Sequence, residues 1–358
     1  MMLNSLCWNR KVTKPACGAR SCRINDLSPK IGQVYLSSAI SISHATTAWS
    51  WLMAYRLILL SVVSLFISTP SWAAGVLVLM SETNAPYQEV ADTFRAELQQ
   101  ERPAVQVAIE PSLEHAESAI SADTRLLISV GMRATRAALA LNTRVPVLAV
   151  LVPKDSFDAL VLSANEVRRP ISAIYLDQPY SRQLALIRLA FPARRRVGVL
   201  LREQNRLKLE ALLASAKSQK MQVNGELISN ADEIVPSLEH LLASSDLLLI
   251  LPDPLLYNKN DIQGVLLTSY HYHVPLIGYS EALVRAGAIM GLYSKPQQIG
   301  YQAAEVASRS LGTARLPVPQ YPKYFTVSIN QQVARSLNIS VPDEMVLQQA
   351  LQRWGQEQ

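Results

Sequence analysis

At 358 residues, 49% hydrophobic and 17% charged, the chain is long enough for two globular domains and too apolar to be disordered. Its formal charge of +6 comes from the amino terminus, because seven of the 34 basic residues but only one of the 28 acidic residues precede Gly75. The remainder is balanced and offers no basic face to neutralise phosphates, so no nucleic-acid partner is expected. The cysteines Cys7, Cys17 and Cys22 all precede Met53, which excludes a disulfide framework or thiolate metal site in the globular part.

Met53 and Arg56 lead into the apolar run Leu57–Ile67, and Ser71 and Ala73 then occupy the small positions of a cleavage site. This is the order of a secretory signal, cut after Ala73 or Ala74 and directing the mature protein to the periplasm. The alternative, a membrane anchor over the uncharged stretch Leu57–Met80, is opposed by Pro70 and by the strand character of Gly75–Met80. Residues 1–52 are Ser-rich and lack apolar periodicity, and read as a non-native or disordered extension.

From Gly75 onward, strands alternate with helices. Gly75–Met80 is a strand, Tyr87–Gln100 a helix with Val90, Phe94 and Leu98 on one face, and Val105–Ile109 a strand. Arg125–Val130 (strand), Arg133–Leu141 (helix) and Val145–Val152 (strand) follow, then the connecting strand Ile171–Leu176. The pattern repeats in Ser181–Ala190 (helix), Arg196–Leu201 (strand), Asn205–Lys217 (helix), Gln222–Ile228 (strand) and Ile234–Ala243 (helix). Leu247–Leu251 is a continuous apolar run ending at Pro252-Asp253-Pro254, as expected for a strand buried on both faces. The helix Asp261–Tyr270, strands Pro275–Tyr279 and Ala288–Tyr293, helix Ile299–Leu311, strand Thr326–Ile329 and helix Gln332–Leu337 complete the chain. Such βαβ units predict parallel sheets with right-handed crossovers. No strand–helix corner carries a glycine fingerprint, so neither a dinucleotide fold nor a P-loop is supported, and no cofactor is expected.

Several stretches together resemble the bacterial periplasmic solute-binding proteins of ABC transporters. They are RLLISVGMRATRAAL with VPVLAVLVP, FPARRRVGVLL, SDLLLILPDPLL, VPLIGYSEALVRAGAIMGL, and IGYQAAEVASRSLGTARLP with FTVSINQQVARSLNISVP. The nearest branch is the one that includes tryptophan- and tyrosine-uptake binding proteins, and the resemblance spans Gly75–Pro342. It implies two Rossmann-like α/β lobes with parallel sheets joined by a hinge, the type-I periplasmic binding protein fold. The expected division puts 75–172 with 288–314 in the first lobe, 173–287 with 315–345 in the second, and 346–358 in a tail. Hinge rotation is expected near Ser172, Ala288 and Val318. The chain departs from the branch at Met132-Arg133 after Gly131, at Val152-Pro153-Lys154-Asp155, and in RRPISAIYLDQP. These positions lie near the ligand, so the resemblance assigns no particular solute.

Ligands of open α/β sheets sit beyond the carboxyl ends of the strands. Candidate contacts are therefore Ser81, Glu82 and Asn84 after the first strand, with ordinary turn chemistry as the alternative. Gly131 and Met132 open a helix whose N–H groups favour an anion, and Arg133 is a candidate partner for a carboxylate. Asp253 is a candidate acceptor or a turn cap. Tyr279, Ser280 and Glu281 run directly from a strand into a loop, and Tyr293 offers a ring for stacking. His271 and His273 have metal-pair spacing, but they sit where a helix ends and lack a third ligand. No nucleophile elbow supports hydrolysis. The resulting expectation is a monomeric, non-enzymatic protein that closes on a small organic solute, an amino acid or an aromatic or carboxylate compound. It would deliver that solute to a membrane permease or, alternatively, report it to a membrane sensor.

Overall fold

The structure is a computed structural model that describes residues 75–163, 169–253, 256, 261–313 and 315–356; the signal-like segment, everything before it and Pro254 fall outside these. Strand β1 (Gly75–Met80) is buried along nearly its whole length because helices cover both faces of its sheet. Helix α1 (Ala85–Glu101) opens with Pro86 in its first turn, where a missing N–H costs nothing, and buries Val90, Phe94 and Leu98 at helical spacing. Strands β2 (Gln106–Glu110), β3 (Thr124–Val130), β4 (Val147–Val152) and β5 (Ile171–Tyr175) join β1 in a five-stranded sheet of order β2-β1-β3-β4-β5, every pairing parallel. Helices α2 (Met132–Ala140) and α3 (Lys154–Ser163) follow β3 and β4.

The second sheet contains β6 (Arg196–Arg202), β7 (Gln222–Ile228), β8 (Leu247–Leu249), β9 (Leu276–Gly278), β10 (Met290–Tyr293) and β11 (Thr326–Ile329). Its order is β11-β10-β9-β8-β6-β7, parallel except for β11 against β10. Helix α4 (Tyr180–Ala190) leads into β6, and α5 (Arg206–Ser218), α6 (Ile234–Ser244), α7 (Asp261–His271) and α8 (Glu281–Ala286) connect the strands from β6 to β10. The chain is thus a two-lobe α/β protein.

Helix α9 (Pro296–Thr313) returns to the first lobe. Its Ile299, Ala303, Val306 and Ala307 share one buried cluster with Val90, Phe94 and Ile128. Small residues permit this close packing: a Cβ on Gly300 would stand 2.7 Å from the Val90 carbonyl oxygen. Helices α10 (Gln331–Ser336) and α11 (Glu344–Gln356) belong to the second lobe, where Leu347 and Leu351 enter its main core.

These placements correct four expectations. Strand β5, including Ser172, lies inside the first sheet, so the chain crosses between lobes only after Tyr175. Strand β10 and the Ala288 before it belong to the second lobe, because β10 pairs with β9 and β11. The expected tail at 346–358 is instead largely a packed helix, with the Gln348 amide oxygen accepting from the Val327 N–H at 2.9 Å. The run Leu247–Leu251 pairs as a strand only to Leu249, although Ile250 and Leu251 stay buried. Val318 does lie on a crossing segment. Next to it, Gln320 pairs with the first sheet at Ile174, its N–H donating to Ala173 and its carbonyl accepting from Tyr175.

Candidate functional site

The three crossings between the lobes are tied to one another. The Gln178 amide donates to Ser294 Oγ at 2.8 Å, and that hydroxyl donates to the Tyr324 carbonyl at 2.6 Å. Arg182 donates to the Gln178 amide oxygen at 2.7 Å and to the Pro322 carbonyl at 2.8 Å, and its guanidinium lies 4.5 Å from the Phe325 ring centroid. Burial pulls the Arg182 guanidinium down to about 10. The crossings therefore form a polar spine behind the space between the lobes.

In front of that spine is a cavity of about 200 Å³. The first lobe contributes Lys154 and Asp155 from the end of β4, the crossings contribute Asp177, Tyr180 and Tyr321, and the second lobe contributes Lys208, Pro252, Tyr279, Ser280 and Tyr293. The β4 corner is shaped by a register shift between Val150 and Val152, with Leu151 between them in the left-handed region at φ 57°. Bulges and positive φ at a non-glycine residue concentrate where a chain is re-aimed at a site. Here they immediately precede Pro153-Lys154-Asp155.

The charges follow a definite pattern. Lys154 Nζ is 2.5 Å from Asp158 and 5.8 Å from the Tyr175 ring centroid. Lys208, on α5, reaches across the cleft to Asp155 at 2.9 Å, an ion pair between the lobes. Asp177 accepts the backbone N–H of Lys154 at 2.6 Å; burial raises its carboxyl above the usual range, and that hydrogen bond opposes the rise. Burial, followed by the nearby Asp155 and Asp177, holds the Tyr180 hydroxyl well above its ordinary value, so it stays protonated. Tyr279 is raised by burial and by Asp253, and Tyr321 chiefly by burial.

Of the residues expected from the sequence, this cavity brings together Tyr279, Ser280 and Tyr293. Tyr293 spends its hydroxyl on Ser328 at 2.8 Å and presents its ring, while Ser280 Oγ caps α8 by accepting from Leu283 N–H. The others lie elsewhere. Ser81 is buried and accepts the Ala134 N–H at 2.9 Å, capping α2. Gly131 has φ 87°, and a Cβ there would meet the Tyr87 ring at 2.5 Å, so its role is a tight turn. Glu82 and Asn84 hydrogen-bond to each other at the surface, Arg133 is exposed, and Met132 packs beside the cluster around Phe157 and Tyr175. Asp253 is 2% exposed, and its carboxylate accepts from Arg202 Nε at 2.9 Å and Asn205 Nδ2 at 2.8 Å. Glu281 pairs with Arg285 on the surface. Pro252 shares the cavity with the β4 corner at Lys154. His271 ends α7, and His273 follows it at φ 55°, off any strand. Among the described residues no group of three His, Cys, Asp or Glu is placed to hold a metal ion.

Sequence reading passed over Lys154, Asp155, Asp177, Tyr180, Lys208 and Tyr321. A signal was present for Lys154, Asp155 and Asp177, since they fall in two of the three segments where the chain departs from the branch it resembles.

Two α/β lobes, three tied crossings and a cavity lined from both sides define a two-lobe binding protein. The family model for "ABC transporter substrate binding protein" matches residues 109–353, and the chain belongs to that family. Membership implies a small-molecule ligand and a transporter permease as partner. Among solved structures, the chain is similar to a ligand-free, open substrate-binding protein with adhesive properties from Clostridium difficile, with 16% identity, 75% of this chain and 96% of that one covered, and a TM-score of 0.62. It is also similar to an ABC domain in complex with L-Trp from Streptococcus pneumonia, at 14% identity, 77% and 98% coverage, and a TM-score of 0.52. A conserved domain protein from Vibrio cholerae gives 17%, 77% and 98%, and 0.53. At these identities the likenesses show the fold. No curated protein sequence matches the chain. No helix among the described residues is long and apolar enough to cross a membrane.

Proposed function

We propose that the chain is the periplasmic substrate-binding component of an ABC importer, released by cleavage after Ala73 or Ala74. It binds one small organic solute between its lobes and presents it to a permease. The observation that carries this reading is the cavity itself, lined by both lobes and backed by the crossings, so that an occupant touches both lobes only when they are together. At about 200 Å³ it lies below the roughly 300–1,000 Å³ of drug-sized sites, which suits a small solute. Within it, Tyr279, Ser280 and Tyr293 remain proposed ligand contacts, joined by Lys154, Asp155, Asp177, Tyr180, Lys208 and Tyr321.

The test is a thermal-shift screen against amino acids, amines, small carboxylates and aromatic compounds. A solute at one hundred times its dissociation constant stabilises the folded state by about 2.7 kcal/mol. Tyr279→Ala and Tyr293→Ala should remove that shift. A hit that both variants leave untouched would place the site elsewhere.

A further inference from the structure

We infer that the cleft takes a small organic ammonium carried on an apolar or aromatic body, with Asp177 as its counter-ion. This rests on the reading of the cavity as the ligand site and goes further, to the chemistry of the ligand. The two ammonium groups that line the cavity among the described residues are already matched by protein carboxylates, Lys154 by Asp158 and Lys208 by Asp155. Among the described residues no arginine lines the cavity. A ligand carboxylate would therefore have to displace an existing ion pair to find a cation.

Asp177 is in the opposite position. Its Oδ2 accepts the Lys154 N–H, and no cationic side chain pairs with it among the described residues. Burial penalises its carboxylate, and the Lys208 ammonium, already paired with Asp155, offsets that cost only in part. An incoming ammonium would offset that cost with a charge-assisted hydrogen bond. Tyr180, Tyr279, Tyr293 and Tyr321 line the same cavity. Protonated tyrosine rings attract a cation at their faces and stack on an apolar body at no charge cost. Four tyrosines and a carboxylate without an ion pair of its own select for positive charge, whereas the two paired lysines give a carboxylate nothing comparable.

Three sets of compounds test this on the whole chain by calorimetry. Tyramine and tryptamine carry the amine alone, 3-phenylpropionate and indole-3-acetate the carboxylate alone, and tyrosine and tryptophan both. The amines should bind as tightly as the amino acids, and the carboxylates at least about tenfold more weakly, the size expected for losing a hydrogen bond to a charged group. Asp177→Asn keeps the acceptor for the Lys154 N–H and should weaken amine binding at least about tenfold. Carboxylates that bind as well as amines overturn the inference on the wild-type protein, whatever the variant does, and so does an Asp177→Asn variant that binds amines unchanged. In either case the ligand cleft itself stands. If no compound in the three sets binds, the cleft assignment falls with it.

Discussion

The ion pair between Lys208 and Asp155 joins the two lobes at the cleft, so its removal should act on closure more than on folding. Lys208→Met keeps the aliphatic stem and deletes the charge. At 2.9 Å the geometry is good, but the side chains are 22% and 55% exposed, so solvent screens the pair. Exposed pairs of this kind contribute about 0.2–1 kcal/mol. Because this one forms only when α3 and α5 approach, its whole contribution favours the closed state over the open one. That corresponds to about a 1.5- to 5-fold drop in the closed-to-open ratio, and the apparent affinity falls with the competent fraction. The assay is calorimetry on Lys208→Met, Asp155→Asn and the double variant, at low and high salt, with the solute found by thermal shift. The double variant should be no weaker than the weaker single variant, and salt should erase the wild-type advantage. Strictly additive losses, or a wild-type affinity indifferent to salt, would refute the role of this pair in closure.

Three further outcomes follow from other contacts. Gly131→Ala combines a left-handed backbone with a Cβ 2.5 Å from the Tyr87 ring, and should cost about 2–4 kcal/mol in urea unfolding. Asp253→Ala strands Arg202 beside a buried gap and should cost about 3 kcal/mol while ligand affinity stays within about twofold of wild type. A large loss of affinity at normal stability would return Asp253 to the ligand site. For Asp246, burial pushes the carboxyl up, but Arg196 and the backbone amides of Arg195 and Arg196 outweigh it and hold it at about 2, below the ordinary 3.8. Its contribution is therefore complete above pH 4 and is lost as pH falls towards 2. Asp246→Asn should cost about 1 kcal/mol at neutral pH, discounted for the exposure of Arg196, and the gap to wild type should close in acid.

The strands were legible because parallel sheets covered on both faces demand unbroken apolar runs, as in Val76–Met80 and Val147–Val152. Helix α3 escaped because KDSFDALVLS buries only Phe157 and so shows little periodicity. Helix α11 escaped because Leu347 and Leu351 are its only fully buried residues in a Gln-rich stretch. The strand-end rule pointed to Tyr279, Ser280 and Tyr293, which line the cavity. The same rule misplaced Ser81 and Gly131, which the fold uses to cap and pack α2. It had no access to Asp177 or Tyr321, because they lie on crossings, where position depends on how two lobes meet and not on local pattern. Asp253 shows the limit of reading an acid at a strand end: its partner Arg202 ends the neighbouring strand β6, and only the sheet order β8-β6 brings them together.

The return of α9 to the first lobe bears on how the molecule is made. A chain emerging from the ribosome has all five strands of the first sheet by Tyr175. The helix that covers Val90 and Phe94 arrives more than a hundred residues later, after most of the second sheet. The last contact on the first sheet's edge, from Gln320, comes later still. Neither lobe is therefore a contiguous segment that can be cut out and folded, and the face of the first that α1 covers only in part stays open until synthesis is almost complete. A product ending before Pro296 would expose that apolar face permanently, which makes premature termination a route to aggregation and quality-control degradation rather than to a half-functional lobe.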